Sequence, residues 1–352
     1  MLLISSKRVI ALGLALSAVA ITGCGDDEET TSSASAPTES AAAAPPEGKK
    51  ITVGLVTDIG GLNDRSFNSL ANKGLEDAKS ELGVEGRVIT SKSNSDYVPN
   101  LTQLARQKTD LIVGVGFLMA EAINTVATKF PEQNFAIIDF PQAGLKDTPE
   151  NVKGLLFKEN EAGYLAGTLA GLYAEKNGID TISSVGGQKI PPVDGYIAGF
   201  QAGAKEASPG IKTLNAYSQD FVDQAKCKEL ALDQIDRGSG IVFQVAGQCG
   251  LGALDAAKEK DKLGIGVDAD QSFLGDYILT SAEKKIDIAV KNTIMSVQDD
   301  SFMGGTDEIF DAKSDGVGLG EISAAGQEFA AQIDEVKTKI AAGEIDIPTE
   351  VK

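Results

Sequence analysis

Three carboxylates stand at the ends of apolar segments that are far apart in the chain. Asp58 follows ITVGLVT, Asp139 ends FAIID and Asp268 ends LGIGVD. A carboxylate in such a position is often a helix cap or a member of a structural ion pair. In open α/β sheets, however, ligands bind at the carboxyl ends of parallel strands. Three carboxylates on that edge therefore indicate a shared cleft, where they would accept hydrogen bonds from a polar ligand.

The turn after the first apolar segment carries a second set of candidate residues. It reads DIGGLNDRSFN, and its two glycines suit a tight turn. Asn63, Asp64 or Ser66 would cap the helix that follows. Phe67 and Asn68 then lie in the first helical turn and face the strand ends. Phe67 is either a core residue or a platform for a flat ligand, and Asn68 offers both a hydrogen-bond donor and an acceptor.

These residues belong to a chain that alternates strand and helix patterns. Apolar segments rich in Val and Ile predict buried parallel strands at 51–57, 86–91, 110–116, 135–140, 152–157, 180–186, 211–217, 240–246 and 263–267. Helical periodicity occupies 66–82, 97–107, 118–130, 160–176, 195–207, 223–237, 250–261, 284–298 and 326–342. The alternation predicts a doubly wound α/β architecture, and so many strands suit two lobes better than one.

The alternation breaks at three places, which predict crossovers between the two lobes. The strands at 135–140 and 152–157 follow one another without a helix, and the pattern breaks again at 268–284 and around 303–320. We therefore expect a hinge of three crossovers. The predicted first lobe comprises residues 49–156 plus about 281–305, and the predicted second lobe comprises 157–280 plus about 306–352.

Composition excludes several kinds of chemistry. The 352 residues include no His, no Trp and three Cys, so a Ser-His-Asp triad and a His-ligated zinc site cannot form. The formal net charge of −19 argues against a nucleic-acid partner, which needs a basic face. We expect no metal and no cofactor.

The amino-terminal segment has the pattern of an export signal. Lys7 and Arg8 precede an apolar run that is too short to span a bilayer comfortably. The sequence ITGC resembles a bacterial lipobox, which predicts a signal peptide at 1–23 and acylation of Cys24, although an ordinary signal peptide with a chance Cys is the alternative. Residues 25–48 contain no Val, Ile, Leu, Met or aromatic residue and predict a disordered tether. We expect a body anchored by lipid on the outer side of the cell membrane.

Six motifs follow one another along the chain: TDIGGLNDRSFNSLANKGL, FAIID, FKENEAGYLAG, SVGGQKIPPVDGYIAGFQAG, GVDADQ and ILTSAEKKID. Their sequences and their order resemble the basic membrane protein family of substrate-binding lipoproteins, which includes bacterial purine nucleoside receptors. The resemblance covers roughly residues 50–350. It implies a type I periplasmic-binding-protein fold, in which two Rossmann-like lobes close around one small molecule. It also implies a monomer that is not an enzyme and that delivers its ligand to an ABC permease and its ATPase.

The resemblance implies a purine nucleoside as the ligand, with the base between two Phe rings. Phe67 matches the ring of the first lobe, and Phe221, in YSQDFVD, is our match for the ring of the second lobe. Asn68 and Asp139 would contact the edge of the base. Stacking on an aromatic ring contributes about 1–3 kcal/mol per base.

The same resemblance assigns the ribose hydroxyls to Asp268 and Lys284, with Asp58 and the backbone of Gly247 nearby. For Lys284 the alternative is a solvated surface lysine, because Lys285 adjoins it. Carboxylates and ammonium groups make hydrogen bonds about twice as strong as those between neutral groups. The chain has no G-x-x-x-x-G-K-[ST] phosphate loop and no convincing basic cluster, which favours a nucleoside over a nucleotide.

The chain departs from the family pattern at two cysteines. Cys227, in AKCKEL, and Cys249, in GQCG, stand where we would expect glycine or another small residue. In a right-handed β-α-β unit both would lie on the same edge of the sheet, so they are candidates for a disulfide in an oxidising compartment. Two small buried thiols are the alternative. Gln248 beside Cys249 is a further departure, which leaves the choice of ligand open.

Other functions remain possible on this sequence. Ser281 and Lys284 match the S-x-x-K pattern of serine penicillin-interacting enzymes, but K-T-G and S-D-N are missing. Nucleoside hydrolysis would need clustered carboxylates for calcium, and no such run follows the first strand. The same fold could instead bind a sugar or another small molecule as a receptor or sensor.

Overall fold

The computed structural model describes residues 48–352, so the predicted signal peptide, Cys24 and nearly all of the tether lie outside the described residues. The first lobe contains a six-stranded parallel sheet in the order β2-β1-β3-β4-β5-β11. Its strands are β1 (Thr52–Val56), β2 (Glu85–Ile89), β3 (Leu111–Gly114), β4 (Asn134–Ile138), β5 (Val152–Phe157) and β11 (Thr306–Phe310). Its helices are α1 (Phe67–Leu82), α2 (Tyr97–Arg106), α3 (Ala120–Lys129) and α8 (Ile286–Gln298).

The second lobe repeats this plan with a second sheet, in the order β7-β6-β8-β9-β10-β12. Its strands are β6 (Thr181–Gly186), β7 (Lys212–Tyr217), β8 (Ile241–Val245), β9 (Leu263–Asp268), β10 (Ile278–Lys284) and β12 (Val317–Leu319), of which β12 is antiparallel to β10. Its helices are α4 (Glu159–Asn177), α5 (Pro191–Ala207), α6 (Gln224–Asp236), α7 (Gly247–Glu259) and α9 (Ala330–Ala341). The predicted α/β class with two Rossmann-like lobes is confirmed.

The strands are apolar on both faces because helices cover both faces of each sheet. In β4, Phe135 and Ile137 pack into one hydrophobic cluster, whereas Ala136 and Ile138 pack into another. All four side chains are fully buried. Since alternate residues of a strand point to opposite faces, this continuous apolar run is what a central parallel strand requires.

The chain passes between the lobes three times, after Phe157, after Lys284 and after Phe310, as the sheet pairings require. The predicted lobe boundaries are wrong at three places. Phe157, assigned to the second lobe, is the last residue of β5 in the first sheet. Residues 281–284 belong to β10 of the second sheet, and residues 306–310 form β11, which pairs with β5 of the first sheet. Both strands are too polar to match the apolar pattern. β10 contributes polar residues to the region of the cleft, and β11 is an edge strand in which only Phe310 is buried.

Two glycine-rich helices of the second lobe pack at unusually short range. A methyl group added to Gly163 or Gly167 of α4 would overlap the carbonyl oxygen of Tyr196 or Phe200 in α5. In the same way, a methyl group on Gly199 of α5 would overlap a carbonyl oxygen of α4. Only glycine permits this approach. The approach brings the amino-terminal turn of α4 next to Tyr196, and both belong to the candidate site.

None of the helices within residues 48–352 is long and apolar enough to cross a membrane.

Candidate functional site

A cleft between the two lobes collects the carboxyl ends of strands from both sheets. It holds about 620 Å³ of space between its atoms, counting the part that opens to solvent. All eight side chains or backbones that the sequence analysis selected line this cleft: Asp58, Phe67, Asn68, Asp139, Phe221, Gly247, Asp268 and Lys284. Their roles toward a ligand stay predictions. The strand-end rule selected Asp58, Asp139 and Asp268, the turn after β1 supplied Phe67 and Asn68, and the family resemblance supplied the other three.

The floor of the cleft is a buried lysine surrounded by carboxylates. Lys284, at the end of β10, is 2% exposed, and its Nζ donates to Asp139 Oδ2 at 2.7 Å and to Asp139 Oδ1 at 2.9 Å. Glu159 Oε1 lies 3.3 Å and Asp268 Oδ1 lies 4.0 Å from the same Nζ. The solvated surface position considered for Lys284 is therefore wrong, whereas its neighbour Lys285 is 40% exposed.

Burial and charge act in opposite directions on this cluster. Burial alone would lower the pKa of Lys284, but Asp139, Glu159 and Asp268 together raise it, so the amine stays protonated. Burial raises the pKa of Asp268 to about 6, although the charge of Lys284 acts against the shift. Burial likewise raises the pKa of Glu159. The floor thus holds a protonated lysine and two carboxyl groups, those of Asp268 and Glu159, whose pKa values are raised.

The side of the cleft in the first lobe is organised around Asp58. The Asp58 carboxylate accepts hydrogen bonds from the Tyr97 hydroxyl and from the backbone N–H of Ile59. Asn68 Oδ1 accepts from the backbone N–H of Asp58 at 2.8 Å, so Asn68 fixes the turn after β1. Burial raises the pKa of Asp58 to about 6, although these hydrogen bonds oppose the shift. The pKa of Tyr97 is raised by burial and by the nearby Asp58 charge.

Aromatic rings enter the cleft from both lobes. Phe67, at the start of α1, lies beneath Lys284, whose Nζ is 4.9 Å from the ring centroid. Phe221, in the loop between β7 and α6, packs so tightly on the backbone of Gly187 that a methyl group there would overlap the ring. Within residues 48–352, neither Phe67 nor Phe221 packs against another aromatic ring. Both rings pack partly against the hydrophobic core and also line the cleft.

Sequence reasoning missed several residues of the site. Glu159 and Tyr196 complete the floor, where the Tyr196 hydroxyl donates to Asp268 Oδ1 at 3.4 Å. Phe117 and Gln248 line the walls. Glu159 follows the end of β5 by two residues, so the rule that selected Asp58 could have found it. Tyr196 lies within a helix, and no strand-end signal points to it.

Contacts across the cleft hold the lobes together. Ser66 of the first lobe donates from Oγ to Asp268 Oδ2 of the second lobe at 2.8 Å. Gln271 of the second lobe donates from Nε2 to the carbonyl oxygen of Arg65 at 3.3 Å. Together with the pairing of Lys284 and Asp139, these contacts define a closed arrangement of the two lobes. Opening the cleft would break all three.

Two further expectations concern Cys227 and Cys249, and the S-x-x-K pattern. The two cysteines are joined by a disulfide, with their Cα atoms 5.5 Å apart.

Ser281 and Lys284 are three positions apart in a strand and so point to opposite faces. Ser281 Oγ accepts from the backbone N–H of Gln271, while Lys284 contacts carboxylates. The two side chains therefore do not form the Ser–Lys pair that a serine penicillin-interacting enzyme needs.

Two parallel-sheet lobes, three crossovers and an interlobe cleft are the features of the solute-binding proteins that serve ABC transporters. A solute-binding protein of an ABC transporter system from Aeropyrum pernix K1 shares the fold with a TM-score of 0.76. It is 27% identical, and the likeness covers 86% of this chain and 94% of that one. The protein is an ABC transporter substrate-binding protein, which implies a small-molecule ligand and a permease partner.

The chain belongs to the Bmp family, described as "ABC transporter substrate-binding protein PnrA-like", whose profile matches residues 51–350. It is 33% identical to the ABC transporter nucleoside-binding protein BmpA of Lactococcus lactis, over 97% of this chain and 99% of that protein. It is 36% identical to an uncharacterized lipoprotein of Pyrococcus abyssi, over 83% of this chain and 74% of that protein. The predicted family is confirmed.

Proposed function

We propose that the protein binds a purine nucleoside between its lobes and delivers it, unchanged, to an ABC importer. The observation that carries this proposal is that one cleft is lined by two Phe rings, one from each lobe, and by carboxylates and a buried lysine. A nucleoside has matching parts, because its base is flat and its ribose carries hydroxyl groups. The nucleoside-binding relative from Lactococcus lactis supports the same ligand class.

The aromatic walls suit the base. Phe67 belongs to the first lobe and Phe221 to the second, so a base stacked on both rings would stabilise the closed arrangement. A ligand shifts a conformational equilibrium only by its difference in affinity for the two states. Stacking on both rings supplies that difference, because an open cleft would separate them.

The floor suits hydroxyl groups. Asp139 and Asp268 can accept hydrogen bonds, and the Lys284 amine can donate one. Lys284 Nζ lies 2.7 Å from Asp139 Oδ2 and 4.0 Å from Asp268 Oδ1. Ribose hydroxyls would replace part of this network by charge-assisted hydrogen bonds. A phosphate group would instead meet Asp58, Asp139, Glu159 and Asp268 with a single lysine, which disfavours nucleotides.

We also propose that the mature protein is held on the outer side of the cell membrane through lipid on Cys24. The signal pattern of residues 1–23 supports this, as does the naming of the Pyrococcus abyssi relative as a lipoprotein. We further propose a monomer without catalytic activity. The buried Lys284 is paired with Asp139 and so is poorly suited to act as a base or nucleophile.

Isothermal titration of the protein against adenosine, guanosine, inosine, free bases and pentoses tests the ligand class. The protein is first unfolded and refolded to remove any ligand that has been carried over. We expect micromolar or tighter binding of purine nucleosides and no binding of ribose alone. Binding of a pentose with no response to any nucleoside would contradict the proposal and favour a sugar receptor on the same fold.

A further inference from the structure

The disulfide ties together the two segments through which the second lobe reaches the cleft. Phe221 lies in the loop before α6, and Cys227 is in the first turns of that helix. Gly247 and Gln248 begin α7, and Cys249 follows them directly. Both cysteine side chains are fully buried. The covalent bond therefore joins the amino-terminal ends of α6 and α7 immediately behind the wall of the site.

The backbone of Phe221 completes the end of α7. The first N–H groups of a helix have no partner within the helix. The carbonyl oxygen of Phe221 accepts a hydrogen bond from one of them, the backbone N–H of Cys249, at 3.0 Å. The position of the Phe221 backbone is thus coupled to the position of the residue that forms the disulfide.

The rest of the loop is held from the side of α6. Asp220 Oδ1 accepts from the backbone N–H groups of Val222 and Asp223, at 2.8 and 3.0 Å. Asp223 caps α6 by accepting from the N–H of Ala225 at 3.0 Å. The loop that carries Phe221 is therefore fixed to α6 at one side and to α7 at the other, and the disulfide sets the spacing of the two helices.

We propose that the disulfide between Cys227 and Cys249 is a positioning element of the binding site. It holds the Phe221 ring and the turn at Gly247 and Gln248 in the geometry that receives the ligand. The proposal rests on the proposed function, since it names what places the second aromatic wall. The sulfur atoms do not contact the ligand and act through Phe221. A site held in its bound geometry binds more tightly because less ordering remains to be done on association.

The test compares two destabilised variants of the same protein. Cys227→Ala/Cys249→Ala removes the bond without burying new hydroxyl groups. Ile235→Ala is the matched control, because Ile235 packs in the same small hydrophobic cluster at the far end of α6. If the double alanine variant does not fold, Cys227→Val/Cys249→Ala retains more of the buried volume and replaces it.

The first measurement is the affinity for adenosine, guanosine and inosine, well below the melting temperature of each variant. We expect at least fivefold weaker binding without the disulfide and less than twofold change in the control. In a Phe221→Ala background, removal of the disulfide should change the affinity less than twofold, because coupled residues are non-additive. Two results would overturn the proposal. One is an equal loss of nucleoside affinity in the disulfide-free variant and in Ile235→Ala. The other is a loss of affinity on removing the disulfide that is as large in the Phe221→Ala background as in the wild-type background.

The second measurement does not depend on any ligand. Hydrogen exchange of the backbone amide at position 249 should become at least tenfold faster without the disulfide and should change little in the Ile235→Ala control. Unchanged exchange would overturn the positioning role. If the wild-type protein binds no nucleoside, the proposed function fails. The exchange rate at position 249 still shows whether the disulfide positions the start of α7.

Discussion

Removing the buried lysine should destabilise the protein far more than removing the lysine next to it. The perturbation is Lys284→Met, which keeps the length of the side chain and deletes its charge. Its matched control is Lys285→Met, since the Lys285 side chain is 40% exposed and pairs with a single carboxylate, Glu283, whose side chain is 11% exposed. The two substitutions change the same residue type at adjacent positions.

The magnitude follows from the distances around Nζ. Two unit charges 4 Å apart attract by about 4 kcal/mol at an effective dielectric constant of 20. Lys284 has Asp139 at 2.7 Å, Glu159 at 3.3 Å and Asp268 at 4.0 Å. Desolvation offsets much of this attraction, but removing one partner of a buried cluster leaves the others uncompensated and costs about 3–5 kcal/mol. Exposed pairs are worth about 0–1 kcal/mol. The pair of Lys285 and Glu283 is only partly exposed, so we expect a loss of about 1 kcal/mol for Lys285→Met, at the upper end of that range.

Urea unfolding at pH 7.5 and at pH 5 provides the assay. The loss of unfolding free energy in Lys284→Met, relative to wild type, should be smaller at pH 5 than at pH 7.5. Glu159 and Asp268 have lost their cationic partner in this variant, and their carboxyl groups become neutral as the pH falls through their raised pKa values. The Lys285→Met variant should show no such change relative to wild type. Two results would refute this account of the cluster. One is a loss of unfolding free energy in Lys284→Met that lies within about 1 kcal/mol of the loss in Lys285→Met, which is the range of an exposed pair. The other is a loss that is larger at pH 5 than at pH 7.5.

The remaining predictions concern the wall, the floor and the helix pair. Phe67→Ala should weaken nucleoside binding at least tenfold by titration calorimetry while the melting temperature changes little, since base stacking is worth about 1–3 kcal/mol. The free energy of unfolding should be larger at pH 5 than at pH 7.5 by at least about 2–3 kcal/mol. The reason is that Asp58 and Asp268 have folded pKa values of about 6, above the unfolded value, so their contribution is lost as the pH rises through 6, and the raised pKa of Glu159 acts in the same direction. Gly167→Ala should lower the melting temperature by about 5 °C or more or prevent folding, because the methyl group would overlap the carbonyl oxygen of Phe200.

Each of these has an outcome that would contradict it. Unchanged nucleoside affinity in Phe67→Ala would remove that ring from the binding site. For the pH effect, Asp268→Asn should reduce the gain between pH 7.5 and pH 5 by about 1–1.5 kcal/mol, and a wild-type protein that is less stable at pH 5 would reverse the assigned sign. An exposed-glycine control, Gly210→Ala, has open space around it, and a Gly167→Ala variant as stable as this control would disprove the close helix contact.

The strand-end rule explains why so much of the site could be read from the sequence. Parallel strands deliver their carboxyl ends to one edge of a sheet, so Asp58 and Asp139 had to share an edge once β1 and β4 were recognised. Asp268 ends β9 of the second sheet, and it meets them because the two lobes face each other across the cleft. The apolar runs of the central strands are long enough to recognise because both faces are buried. Local pattern thus determined which residues reach the cleft.

What the sequence could not show depends on contacts between distant segments. Lys284 and Asp139 are 145 positions apart and belong to different sheets, and nothing in either local sequence specifies their pairing. The sequence motif that contains Glu159 was recognised, but its burial beside Lys284 follows from the close packing of α4 against α5. The edge strand β11 has a half-exposed pattern that resembles a loop, because it pairs on one side only.

The position of β11 also sets the order in which the protein can be completed. The strand is made after nearly the whole second lobe, yet it closes the outer edge of the first sheet beside β5. Its Phe310 stacks on Phe157, whose ring centroid lies 5.2 Å from Lys284 Nζ at the floor of the cleft. Until β11 has been synthesised, β5 is therefore the unpaired edge strand of the first sheet. Such an edge is the part of a sheet most prone to mispairing. Neither lobe is a self-contained stretch of chain, so cutting the gene between them would leave the first lobe without both α8 and its last strand.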